Sequence, residues 1–267
     1  MGERLLYLPS WGFSLFLAFL VESVFRRRPA AAYVIAAALA AAYGARTVAR
    51  NRDWKDNFAL FSAAYRVCPL SAKVNYNLGL ECARRGMTAE ALFHYRRAVE
   101  ITPDNPTYHL NLGEALVQAG ETERGTEEFR EAIRLALPRV EEYAGLSGTL
   151  AGGHINLANV LWGQGKEEAA FAQLREAERI APGDWRVSLN RGQIHLGRKR
   201  FREAEAELRR AAALNPAEGA VWNKIGVAVL ERGEVDLAAD CFRRAVSLQV
   251  DCKEAYNNLG ACLLRKG

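Results

Sequence analysis

The chain has 267 residues, half of them hydrophobic and a quarter charged, with 36 Lys plus Arg against 31 Asp plus Glu. The resulting net charge of +5 is not spread evenly: residues 1–52 hold seven Arg against two Glu, whereas the remainder holds 29 basic and 29 acidic residues. A basic excess confined to one end, where it flanks apolar runs, argues against nucleic-acid binding, and five cysteines with no C-x-x-C spacing and no nearby His argue against a metal site.

The apolar runs come first in the chain. Residues 11–25 are apolar except for Glu22 and two serines, Arg26-Arg27-Arg28-Pro29 follows, and residues 30–49 then carry a single charge, Arg46. Twenty helical residues span about 30 Å, the thickness of a bilayer core. Two membrane helices joined as a hairpin are therefore predicted over 1–52, although the alanine-rich second run is marginal by itself. Glu22 stands four residues before Arg26, where the pair can neutralise itself on one helix face. The arginines between the runs favour a cytosolic loop, while Arg46, Arg50 and Arg52 pull the other way. A cleaved signal peptide with Arg4 in its basic region lacks a small-x-small cleavage site. A pair of buried soluble helices is the other alternative.

Residues 53–71 are predicted to form a single capping helix, with Phe61, Ala64 and Pro69 in the frame of the helices that follow. From residue 72 a pattern recurs. Asn77-Leu78-Gly79, Asn111-Leu112-Gly113, Asn156-Leu157-Ala158, Asn190-Arg191-Gly192, Lys224-Ile225-Gly226 and Asn258-Leu259-Gly260 are separated by steps of 34, 45, 34, 34 and 34 residues. A 34-residue period is the signature of tetratricopeptide repeats (TPRs), antiparallel helix pairs that stack into a superhelix because one pair cannot bury its own apolar face. Numbered so that the small residue of helix A is position 8, the repeats fall at 72–105, 106–139, 151–184, 185–218 and 219–252, with a partial sixth from 253. Residues 140–150 are an insertion that accounts for the long step. Position 8 is small so that helix A can meet helix B; position 24 (Tyr95, Phe129, Leu174, Leu208, Phe242) fills the gap between them; Ala at 20 and 27 lets neighbours approach. Gly at 15 ends helix A in a left-handed turn. Gly125 is expected to weaken helix B of the second repeat. The sixth repeat stops at its own position 15, so a truncated product is expected, with Tyr256, Leu259 and Leu263 lacking a covering helix. The fold class is all-α: a two-helix membrane hairpin followed by a TPR superhelix.

Three segments carry a family resemblance. Gly2-Glu3-Arg4-Leu5-Leu6-Tyr7-Leu8-Pro9-Ser10, then Arg50-Asn51-Arg52-Asp53-Trp54, then Cys68-Pro69-Leu70-Ser71-Ala72-Lys73-Val74-Asn75-Tyr76-Asn77-Leu78-Gly79 resemble, in this order and around two apolar spans, the transmembrane and TPR repeat-containing protein O-mannosyltransferases that modify cadherins. The resemblance covers nearly the whole chain. It implies an endoplasmic-reticulum membrane protein with luminal repeats and dolichyl-phosphate mannose as donor of the full-length enzyme. It also implies that the catalytic acidic loop lies upstream, so that no catalytic residue carries over to this chain. Glu3 and Arg4 match the motif beside the membrane, where a structural loop is a readier reading than a lipid-phosphate contact. The alternative function is a membrane-anchored TPR scaffold without enzymatic activity.

Cys82, Cys241 and Cys262 occupy helix positions suited to small buried residues, and His94, His109, His154 and His195 form no catalytic or metal-binding set with other residues. No cofactor is expected in this chain. The one constellation with chemistry is the asparagine at position 6: Asn77, Asn111, Asn156, Asn190 and Asn258, with Lys224 in the fifth repeat. Amides repeated along a groove can each donate to a carbonyl and accept from an N–H, which suits an extended acceptor polypeptide of any sequence. Alternatively, they tie neighbouring helices together. A lysine–asparagine clamp for a C-terminal carboxylate is disfavoured by Tyr76 and Leu80 in repeat 1 and Ile155 and Asn159 in repeat 3.

Overall fold

The computed structural model describes residues 15–16, 18–19, 22–23, 26, 29–143, 145–248 and 253–265. The chain divides into two units, residues 1–69 and 70–267. In the first, α1 (Pro29–Asn51) runs into a 3-10 turn (Arg52–Trp54) and α2 (Asn57–Val67), whose cap Asp56 accepts the Ala59 N–H at 2.8 Å. Unlike position-24 and position-27 residues in the repeats, Phe61 and Ala64 are only half-buried, and α2 holds no fully buried residue. Arg26 and Glu22 pair at 3.1 Å, as their spacing predicts. The proposed first span, with Glu3, Arg4, Arg27 and Arg28, lies for the most part outside the described residues. The second forms a helix, but among the described residues no helix is long and apolar enough to cross a membrane. The physical reason lies in the composition of α1: nearly half of its 23 residues are alanines, whose single methyl contributes little transfer free energy, and Arg46 interrupts them.

The second unit is an all-α TPR superhelix. Its helices pair as α3 (Ala72–Arg84) with α4 (Thr88–Ile101), α5 (Pro106–Gln118) with α6 (Thr122–Ala136), α7 (Leu146–Gly163) with α8 (Glu167–Ile180), α9 (Trp185–Gly197) with α10 (Phe201–Leu214), and α11 (Gly219–Glu231) with α12 (Val235–Leu248); α13 (Lys253–Arg265) follows. The insertion is not a plain loop. It holds a turn after the 3-10 segment Leu137–Arg139, and its last residues, from Leu146, add more than a turn to the front of α7.

Each pair is held by one close approach. A Cβ on Gly79 would lie 2.8 Å from the Tyr95 ring, on Gly113 2.6 Å from Phe129, on Gly192 2.6 Å from Leu208, and on Gly226 2.5 Å from Phe242. The five position-24 side chains are all at most 2% exposed. α6 runs unbroken through Gly125. A Cβ there would meet Val117 at 2.6 Å and the Gly113 carbonyl at 2.8 Å, so the glycine lets α5 and α6 approach along two facing positions.

The turns between A and B helices repeat one motif. At Gly86, the amides of Gly86 and Met87 return to the carbonyls of Ala83 and Cys82, the paired bonds of a Schellman cap. Gly120, Gly165 and Gly233 share its positive φ, and Lys199 occupies the same position in the fourth repeat at φ 58°.

A polar register, unexpected from the scattered histidines, runs beside this apolar one. Residues 19 apart face each other across the first three pairs: His94 Nδ1 lies 3.1 Å from Asn75 Oδ1, His109 Nδ1 2.6 Å from Glu128, and His154 Nδ1 2.8 Å from Gln173. Burial pushes the His94 pKa down. Burial also opposes charging His109, but its hydrogen bonds to the Glu128 carboxylate and the Pro103 carbonyl outweigh this and hold its pKa above the ordinary value. Cys82, Cys241 and Cys262 are buried, Cys68 is exposed, and Cys252 lies outside the described residues.

Gly226→Ala should lower the melting temperature by an amount equivalent to about 1–3 kcal/mol, because Phe242 cannot yield. Gly260→Ala, where a Cβ meets nothing within 4 Å, should be neutral or stabilising by up to about 1 kcal/mol. Thermal melts of both variants check this. For His109, a raised folded-state pKa means that its stabilising contribution is complete below the unfolded-state pKa and is lost as pH rises through the folded value. The stability lost in Glu128→Gln should therefore be larger near about pH 5.5 than near about pH 9, as denaturant melts at the two pH values would show.

Candidate peptide-binding groove

The A helices α3, α5, α7, α9, α11 and α13 carry the position-6 side chains, and side-chain caps fix where several of them begin. Ser71 Oγ accepts the Val74 N–H at 3.4 Å, Asn105 Oδ1 the Thr107 N–H at 3.0 Å, and Asp184 Oδ1 the Arg186 N–H at 3.0 Å. Asn77, Asn111, Asn156 and Asn258 are half-buried and Asn190 is buried.

The amide nitrogens of Asn111, Asn156, Asn190 and Asn258 have protein partners. Asn111 Nδ2 donates to the Thr107 carbonyl one turn back at 2.9 Å and reaches Tyr76 Oη of the preceding repeat at 3.5 Å. Asn190 Nδ2 donates to the Arg186 carbonyl at 2.8 Å. Asn156 Nδ2 donates to Glu114 Oε1 at 2.8 Å, and Asn258 Nδ2 to Asn223 Oδ1 at 3.0 Å, each reaching back one repeat. These contacts favour the helix-tying alternative for the nitrogens. The same bonds orient the amides, because only an N–H can donate to a backbone carbonyl. The oxygens of Asn111 and Asn190 are thereby left as acceptors.

Two clefts open along this row. One, of about 670 Å³, lies between α5 and α7 and the start of α6; Glu114, Asn156, Asn159 and Gln118 line it above Val117, Phe129 and Val160. The other, of about 350 Å³, holds Asn223, Lys224, Glu254 and Asn258. Of the position-6 asparagines, Asn156 lines the first cleft and Asn258 the second, while Asn77, Asn111 and Asn190 line neither. A third depression, of about 970 Å³, follows the α4–α5 connection and the insertion, where Arg139 pairs with Asp104.

Two features of the groove escape the asparagine pattern. Tyr76 and Tyr108 pack with ring centroids 4.8 Å apart, and burial, with Tyr108 and Glu114 nearby, raises the Tyr76 pKa. Glu114 stands three residues after Asn111 and so on the same helix face; that spacing is its only sequence signal. Among the described residues, no group of three or more His, Cys, Asp or Glu is placed to hold a metal ion.

Comparisons with known proteins agree with this architecture. TPR-repeat profiles match residues 79–120, and tetratricopeptide-repeat profiles match 189–249 and 223–267. The Drosophila melanogaster protein O-mannosyl-transferase Tmtc3 is 29% identical over 202 residues, which is 73% of this chain and 22% of that protein. The human protein O-mannosyl-transferase TMTC3 is 26% identical over 206 residues, with the same coverage. The mouse protein O-mannosyl-transferase TMTC4 is 38% identical over 100 residues, 36% of this chain and 13% of its own length. Over these segments the chain is similar to TPR-bearing protein O-mannosyl-transferases. It spans about a fifth of the length of the relatives that match it most extensively. A thermophilic TPR protein from Thermus thermophilus (TM-score 0.56, 21% identity, 73% of this chain and 100% of that one) and Pseudomonas aeruginosa pilF (TM-score 0.52, 22% identity, 73% and 89%) share the fold.

The tying contacts generate a contrast. Asn258→Ala leaves the Asn223 carbonyl oxygen, on a residue 5% exposed, without its donor, and should cost about 1–3 kcal/mol. Asn156→Ala frees only an exposed carboxylate and should cost about 0.5 kcal/mol or less. Equal melting losses would show that the amides do not act as ties of unequal burial.

Proposed function

We propose that this chain is the repeat-bearing part of an endoplasmic-reticulum protein O-mannosyltransferase, and that its groove presents the acceptor polypeptide to a catalytic region outside this sequence. The observation that carries the reading is the similarity to protein O-mannosyl-transferases over nearly three quarters of the chain. The acceptor is a cadherin-like polypeptide, and the donor of the full-length enzyme is dolichyl-phosphate mannose; both follow from the family resemblance. In the groove, Asn111 and Asn190 accept backbone N–H groups through their amide oxygens, and Asn77, Asn156 and Asn258 extend the row. Backbone recognition of this kind is indifferent to acceptor sequence.

Residues 1–52 anchor the chain as a membrane hairpin. Exposed Tyr33, Val34, Tyr43 and Val48 on α1 support an apolar environment for that helix. Its alanines favour packing against other membrane helices rather than against lipid alone, since small residues let helix backbones approach closely. The repeats are luminal, with Arg26–Arg28 on the cytosolic side.

In sealed microsomes, an epitope at the C-terminus should resist protease until detergent is added; digestion without detergent would overturn the luminal placement. The purified chain should transfer no mannose from dolichyl-phosphate mannose, whereas it should bind an unfolded acceptor. Combining Asn111→Ala, Asn156→Ala and Asn190→Ala should weaken that binding at least about tenfold, at about 1 kcal/mol for each hydrogen bond. Unchanged acceptor affinity in a folded triple variant would reject the asparagines as the binding row.

A further inference from the structure

The cleft between α5 and α7 differs chemically from the rest of the groove. Its volume, about 670 Å³, lies in the range of sites that enclose a ligand. Its floor is apolar: Phe129 is 2% exposed, Val160 8%, and Val117 is half-buried beside them. Its charged lining residues are Glu114 and Glu123, and among the described residues no Lys, Arg or His lines it. Asn156 holds the Glu114 carboxylate at 2.8 Å through one oxygen and so aims it without neutralising it. Arg186 feels the charge of Glu114. Arg186, however, is committed to Asp184 through contacts of 2.5, 2.9 and 3.1 Å.

We propose that this cleft is a specificity pocket for one lysine or arginine side chain of an extended polypeptide lying in the groove, a proposal that rests on the groove's binding polypeptide at all. A lysine or arginine has the right two-part chemistry. Its methylene stem covers the apolar floor while its charged head stays at the acidic rim, where a charge-assisted bond to a carboxylate is stronger than a neutral one. The amides of Gln118, Asn159 and Gln164 at the same rim can take the backbone on either side. Recognition therefore has two levels: amide contacts that tolerate any sequence, and one position that selects a positive charge. Gly163 keeps the pocket open. It lies at the last position of α7, lines the cleft, and a Cβ built there meets nothing within 4 Å.

The test uses the full chain in detergent and fluorescein-labelled ten-residue peptides of serine, threonine and valine with one central residue: lysine, its uncharged isostere norleucine, or glutamate. Anisotropy at low salt should show the lysine peptide binding about tenfold more tightly than the norleucine peptide, and the glutamate peptide more weakly still. Glu114→Gln should bring the lysine peptide to the norleucine level; Glu123→Gln is the second variant if the first does not fold. Gly163→Leu should fill the pocket and remove the lysine preference while the melting temperature is kept or raised. If the peptides bind but lysine and norleucine are equal, or if the preference survives both glutamate changes, the cation pocket is overturned and the groove reading stands. If no peptide binds, the groove reading fails and takes the pocket with it.

Discussion

The structure depends on a single contact repeated along the chain: a residue with no side chain, or only a methyl, on helix A pressed against a large side chain on helix B. At Gly226 the Phe242 ring occupies the space that a Cβ would need. This contact sets the distance between paired helices, and the alanines at positions 20 and 27, all essentially inaccessible, carry the same spacing to the neighbours. Interiors packed to this density do not adjust by small amounts, so the geometry is inherited by every residue that the A helices present to the groove. The second repeat tightens the rule by placing Gly125 opposite Gly113, which brings two backbones within reach of each other.

Charge plays a different part. The repeats are neutral in sum, and their arginines and glutamates meet across repeat boundaries: Glu167 with Arg198 and Arg200 at 2.6 and 2.8 Å, Glu178 with Arg191 and Arg210 at 2.6 Å each, and Arg96 with Glu121 at 3.3 Å. Arg191 beside Glu178 holds that carboxyl below its usual range. Partly exposed pairs of this kind add little individually, about 0–1 kcal/mol, but they consume most of the local positive charge on the repeat surface. Against that background, a cleft lined by two carboxylates and, among the described residues, no cation stands out electrostatically.

The two readings of the position-6 amides that the sequence sets against each other use different ends of the group. Each amide has a donor end and an acceptor end. In Asn111 and Asn190 the donor is held by the helix itself, and in Asn156 and Asn258 by the preceding repeat. A tied nitrogen holds its oxygen in one orientation, which favours binding because no rotamer freedom is then lost on contact with a ligand.

The sequence by itself determined the repeat period, the small and large partners at positions 8 and 24 and most of the glycine turns, because each depends on residues at fixed separations within one chain. The resemblance carried by residues 2–10 and 68–79 pointed to the protein O-mannosyl-transferases before any fold was in view. Where sequence reasoning failed, the missing information was what lies opposite. Gly125 reads as a weak point in a helix until Gly113 is seen across from it, and the histidines look scattered until the 19-residue facing register aligns three of them. Only the tertiary structure decided which partners hold four of the asparagine nitrogens, that Asn156 and Asn258 line separate clefts, and that Glu114 and Glu123 share an apolar-floored one. These are relations between side chains on different helices, and they follow from helix packing distances that no spacing along a single chain encodes.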